Sequence, residues 1–290
     1  MSRLFLIAGM LALLVVTARA QKATVSVLDF GVTPFAQQTA DKLRDRLRSN
    51  ELTVADADMT RAAATGGAYS GSLNLAVSEA RDLGAVLGTE YYVLGDAQTL
   101  RRSSSTKPAY YESYCSIFVV SSRTGRLILW ARPAVQKDQL GEAEAELSQQ
   151  LSKGETTWQI VIAIRRARED EQNQRTLVVP ASEPLIEEAP DDEKTAEVQG
   201  LRMPRPYRRM RPEYPETAAL ADAEATVDVL VDVRADGEVS DVRIARWGGF
   251  GLDESTVATV RQMHFFPAMK NGTPIPMRVL LRYNFRKPPR

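Results

Sequence analysis

From residue 226 the chain alternates, with Val227, Val229, Val231 and Val233 on one side and Asp228 and Asp232 on the other. Successive side chains of a strand point to opposite faces, so this stretch predicts a strand with one buried face. Asp236-Gly237 and Asn271-Gly272 supply the positive φ angles of tight hairpin turns. From Leu252, the positions Val257, Val260, Met263 and His264 recur at helical spacing, which predicts an amphipathic helix lying on the sheet. Residues 275–283 read as a last strand. Residues 206–287 therefore predict a small α+β domain, with a three-stranded antiparallel sheet and helices.

The earlier half of the chain has a different rhythm. Residues 25–30 read as a short buried strand, 37–48 as a helix with Ala40, Leu43 and Leu47 on one face, and 52–55 as a second strand. A second helix over residues 75–87 aligns Ala76, Ala80, Leu83 and Leu87, and Gly88 is placed to end it in the left-handed conformation. Residues 91–94 form a third strand, residues 110–120 and 126–135 a hairpin across 121–125, and residues 142–168 a helical stretch interrupted at Gly154. Strands alternating with helices call for a mixed sheet covered by helices, so residues 22–170 predict a mixed α/β domain. Residues 171–205 contain Pro180, Pro184, Pro190 and Pro204 among many acids, which is the composition of a disordered, flexible linker. About 34 such residues reach roughly 105 Å as a polyproline helix and average about 35 Å as a coil.

Charge refines this division. Lys+Arg and Asp+Glu balance at 37 each, so no global basic field favours nucleic acid. Residues 171–200 carry a net charge of −6 and residues 201–290 a net charge of +4. A mildly basic module thus follows an acidic tether, and the two attract weakly at low salt. Residues 1–20 open with Arg3, continue through an apolar run and close on Ala18-Arg19-Ala20, the pattern of a cleaved secretory signal. As a helix, residues 4–18 would reach about 22 Å, short of a hydrocarbon core of about 30 Å. Periplasmic export is the expectation; the alternative is an inner-membrane anchor formed by residues 4–18. No membrane contact is expected beyond this segment.

No constellation for catalysis, metal or cofactor binding emerges. Cys115 lies in an alternating strand pattern and reads as a buried small hydrophobe, and His264 as a packed or capping residue of the last helix. Neither has the converging ligands that a metal needs. Asp29 follows a buried strand, but no phosphate-cradling glycine loop succeeds it, so a turn or capping role is expected. Gly248-Gly249-Phe250-Gly251 reads as a plain connecting loop.

The order Tyr214-Pro215, alternating strand, Asp236-Gly237, Leu252-Asp253, Phe266-Pro267-Ala268, Asn271-Gly272 and final strand resembles the TonB C-terminal domain family over residues 206–285. The chain departs from that family at Ala225, where a glycine is common, and at Arg211, where an amide side chain is common. Residues 22–170 more weakly resemble the N-terminal domain of TolB and related CsgG-type periplasmic domains, through Leu83-Gly84-Ala85, residues 91–95 and Thr124-Gly125. The first resemblance implies a non-enzymatic interaction protein, working without cofactor or nucleic acid. It would bind an extended segment of an outer-membrane receptor or other envelope protein by strand addition, with energy-dependent transport as a process it would serve. It places partner contacts on an arm, Arg209, Met210, Arg211, Pro212, Glu213 and Tyr214, and on the last strand, Ile275, Met277, Val279, Leu281 and Tyr283. Leu280 is expected to be structural. The second resemblance implies the alternative of an envelope scaffold whose N-terminal domain is the working part. Oligomeric state is not legible.

Overall fold

The computed structural model describes residues 22–48, 51–103, 109–176, 186–190 and 193–287. The expected leader at residues 1–20 and much of the expected linker, residues 177–185 and 191–192, lie outside the described residues.

The N-terminal unit begins with β1 (Ala23–Val27), buried along nearly its whole length. Thr33 caps α1 (Pro34–Leu47) by accepting the Ala36 N–H, and Pro34 starts the helix where a missing N–H costs nothing. After β2 (Leu52–Val54), Asp56 caps α2 (Ala57–Gly66), a helix the sequence pattern did not reveal because its buried face holds only Thr60 and Ala64. Then come α3 (Val77–Leu87), ended by Gly88 at φ 68°, and β3 (Tyr91–Arg102). The expected hairpin is β4 (Tyr110–Ser121) with β5 (Leu127–Ala131) and β6 (Ala134–Lys137), its return strand broken at Arg132-Pro133. Two helices follow, α4 (Leu140–Ser152) and α5 (Glu155–Thr176), the second outrunning the expected domain boundary at residue 170. The sheet runs β2-β1-β3-β4-β5, with β6 also on β4; β1 is parallel to β2 and β3, and the other pairs are antiparallel. One face packs on α1, α4 and α5 through Val93, Cys115 and Ile117, and the other presents Tyr92, Leu94 and Phe118 beside α2 and α3. The expected mixed α/β unit is thus present, and Cys115 is fully buried within it.

The expected disordered linker is not featureless where it is described. It contains β7 (Glu187–Glu188), α6 (Glu193–Val198), β8 (Leu201–Arg202) and β9 (Arg205–Pro206). Ala196 and Leu201 are buried in the C-terminal core, so their apolar surface holds the segment against the domain that the sequence reading began at residue 206. Next come α7 (Glu216–Leu220), β10 (Ala225–Val233), β11 (Val239–Arg246), α8 (Leu252–Val260), β12 (Phe265–Phe266), β13 (Ala268–Lys270), β14 (Thr273–Ile275) and β15 (Met277–Phe285). The main sheet runs β11-β10-β15-β7: the three expected antiparallel strands, plus β7 added parallel to β15.

The valine face of β10 is the core, with all four valines at most 1% exposed beneath Leu252, Val260 and Met263. Its aspartate face is not simply solvated. Asp228 accepts two hydrogen bonds from Arg282, at 2.7 and 2.9 Å, with Arg246 at 3.5 Å. Asp232 is held by Arg278 and Arg243. Arginine forks satisfy both carboxylates bidentately, which lets aspartates about 5% exposed remain in the fold. Three expectations shift locally. Pro276 splits Ile275 from the last strand, and Ile275 pairs with Ala268 instead. The helix ends at Val260, so His264 lies beyond it, exposed, with Nδ1 2.9 Å from Glu238. Leu280 is 54% exposed rather than part of the core.

Candidate functional site

The two segments expected to meet a partner lie together. Met210, Tyr214, Leu281 and Tyr283 share the margin of the C-terminal core, and the Tyr214 and Phe285 rings are 6.4 Å apart. Tyr214 is anchored from its tip, its hydroxyl donating to the carbonyls of Ala223 at 2.6 Å and Ala218 at 3.2 Å. Glu213 contributes its carbonyl, which accepts from the Ser255 hydroxyl at 2.7 Å. Arg209, Arg211 and Glu213 are exposed, and Pro212 is half-buried. The arm therefore divides into anchoring residues and outward charges.

On β15, side chains alternate as the pattern required. Met277 and Val279 are buried, Leu281 and Tyr283 half-buried, and Leu280, Arg282 and Asn284 exposed. Met277, Val279, Leu281 and Tyr283 thus fix the strand to its core, and what this strand offers outward is main chain. One edge of β15 pairs with β10 along its whole length. The other is covered only at its start: Glu187 and Glu188 pair with Met277 and Arg278, and the Ala189 N–H donates to the Arg278 carbonyl at 2.8 Å. Lys270 reinforces this with an ion pair to Glu187 at 2.9 Å. Over residues 279–285 that edge meets no other strand among the described residues. Unpaired edge N–H and C=O groups are a template for an incoming strand.

A second contact region escaped the sequence reading. Trp247, in the loop after β11, is 1% exposed, and its surroundings are N-terminal: the ring stacks on Phe118 at 5.8 Å, and Nε1 donates to the Gly125 carbonyl at 3.2 Å. Phe250 meets Phe118 edge-on at 5.4 Å and Trp130 at 5.7 Å. Gly249 has φ 70°, and a Cβ there would come 2.4 Å from the Phe118 ring, so the glycine is required for this close approach. Asn74 acts as a strand substitute, accepting the Thr226 N–H at 3.0 Å and donating to the carbonyls of Thr226 at 2.9 Å and Trp247 at 2.6 Å. Arg102 reaches Asp222 at 2.7 Å, and Arg246 reaches Glu79 at 3.2 Å. The supposed plain loop is therefore a plug that docks one unit on the other. Clustered aromatic residues and glycines were the available signal, but their partners lie about a hundred residues away in sequence.

Chemistry is sparse elsewhere. No group of three or more His, Cys, Asp or Glu side chains suited to a metal occurs among the described residues. Asp29 accepts from Arg44 at 2.8 Å and Arg61 at 2.7 Å; burial pushes its carboxyl up, but the two guanidinium partners outweigh that and hold it low. Burial pushes the Cys115 thiol up, away from reactivity. No described helix is long and apolar enough to cross a membrane.

Residues 210–286 match the family model for the Gram-negative bacterial TonB protein C-terminal region. Among solved structures, the chain is similar to the TonB C-terminal domain of Pseudomonas aeruginosa, at 22% identity over 30% of this chain and 89% of that one, with a TM-score of 0.26. It is also similar to the hypothetical protein CT253 of Chlamydia trachomatis, at 13% identity over 50% and 96% of the two chains, TM-score 0.32. The LpoB C-terminal domain of Salmonella enterica matches at 19% identity over 41% and 88%, TM-score 0.28. No curated protein matches the chain. The module spanning residues 210–286 is a TonB C-terminal domain.

Proposed function

We propose that this protein is an exported envelope adaptor that captures an extended segment of a partner protein by strand addition along β15. The observation that carries this reading is the open edge over residues 279–285, together with the exposed cations Arg209 and Arg211 of the arm that packs on the same core margin. Such an edge supplies affinity through main-chain hydrogen bonds, and the arginines select an acidic or carbonyl-rich strand. The partner is expected to be an outer-membrane receptor or another envelope protein, with the periplasm as the meeting place and transport as the process served. No chemistry on the partner is invoked. Isothermal titration of an acidic extended peptide against the wild type and Arg211→Glu tests the reading. About threefold weaker binding by the variant is expected from reversing one exposed charge beside the peptide; equal affinity removes Arg211 from the site.

A second reading is favoured by the docked Trp247 plug. In it the protein is an envelope scaffold, the N-terminal unit is the working part, and the TonB-type module ties it to a neighbour. Binding assays on variants that separate the two units distinguish these readings.

A further inference from the structure

β5 is the outer strand of the N-terminal sheet and β11 the outer strand of the C-terminal one. Among the described residues, Leu127–Ala131 pairs only with β4, and residues 240–245 of β11 pair only with β10. The Trp247 plug holds the two units so that these edges line one cleft of about 920 Å³. Leu127, Leu129, Val242, Ile244, Val257 and Ala258 give it an apolar lining. Sites of roughly 300–1,000 Å³ are the size that buries most of a ligand's surface.

Charge identifies the occupant. Arg81, Arg126 and Arg261 also line the cleft; all three are exposed, and none has a carboxylate partner among the described residues. Arg243 is already held by Asp232 and Asp241. Of the two acids, Asp253 is engaged by the N–H groups of Gly248 and Gly249, at 2.8 and 2.9 Å, and only Glu254 is exposed. Unpaired guanidinium groups therefore outnumber free carboxylates around two strand edges that no further strand covers among the described residues, although the Val242 N–H is held by Asp241 at 2.9 Å.

We propose that this cleft is a second strand-accepting site, distinct from β15. It takes an extended peptide of a partner protein in which apolar residues, set on the lining, alternate with acidic residues facing the arginines. Pairing with β5, β11 or both satisfies the open edges. The inference does not rest on the β15 reading, since neither strand takes part in it.

The test uses the full chain and a fluorescent peptide of about seven alternating Val and Glu residues, the length of a common strand. Fluorescence anisotropy gives affinity, and amide hydrogen exchange locates the site. The expected result is binding that weakens about tenfold in Arg126→Glu/Arg261→Glu, in line with reversing two exposed charges. It includes loss of binding when the peptide's backbone is N-methylated, and exchange protection in residues 127–131 or 240–245. The N-methylated peptide keeps the test decisive even if the double variant is unstable. Absence of binding, equal binding of a Val/Lys peptide, or an unchanged affinity in the double variant overturns the proposal. Protection confined to residues 279–285 also overturns it, while leaving the β15 reading intact.

Discussion

Trp247 belongs by sequence to the C-terminal module and by contact to the N-terminal core. Removing its ring leaves a cavity against Phe118 and orphans the Gly125 carbonyl. Trp247→Ala is expected to cost about 3–5 kcal/mol, the range for deleting a buried aromatic side chain. The cost falls on the docking of the units rather than on either core, so urea unfolding followed by circular dichroism should show two separated transitions in the variant. Leu280 makes the opposite case. Its place in a strand suggested a structural role, but it stands on the arginine-lined outer face at 54% exposure. Leu280→Ala is therefore expected to change stability by no more than about 0.5 kcal/mol, checked by thermal unfolding.

At the scale of elements, β7 and β15 form a competition within one chain. Two pairing positions, one further main-chain hydrogen bond and the Lys270–Glu187 ion pair keep an acidic strand on the start of the β15 edge. Such exposed pairs contribute about 1 kcal/mol or less each, so this cover is easily displaced. Ala189→Pro deletes the N–H that reaches Arg278. Amide exchange across Met277 to Val279 is expected to rise about fivefold, consistent with losing one hydrogen bond of roughly 1 kcal/mol. Affinity for an acidic strand at β15 should rise with it. Unchanged exchange would mean that β7 does not hold the edge. The valine face of β10, the glycine turns and the order of the C-terminal elements were legible because each is set by neighbours in sequence. The helix α2 and the structure within residues 186–205 were not, because their burial depends on distant surfaces.

At the scale of the molecule, the ion pairs across the two units set an acid limit on docking. Asp222 faces Arg102 of the N-terminal unit at 2.7 Å and Lys287 of its own at 2.6 Å. Burial pushes its carboxyl up, but hydrogen bonds from Lys287 and Arg102 prevail, and it titrates at about 2. A carboxyl lowered on folding adds stability above its unfolded value near 3.8, and that stability is lost as pH falls through about 2. The wild type should thus lose docking between pH 4 and 2, read from Trp247 fluorescence. Asp222→Asn should be less stable at pH 7 and show a shallower acid limb. Equal acid limbs would show that Asp222 does not link the units.

Local chemistry in the chain was enough to determine the mixed α/β and α+β classes of the two halves, the TonB-type order of the C-terminal elements and the buried valine face. Each follows from periodicity, turn residues and residue type, which act over a few positions. Tertiary structure alone decided that the Gly248–Gly251 loop is a docking plug, that Asp228 and Asp232 are clamped by arginines, and that the acidic segment adds a short strand to the start of the β15 edge. These depend on which surfaces meet across more than a hundred residues of chain, and the free energy of burial is settled only when both surfaces are present.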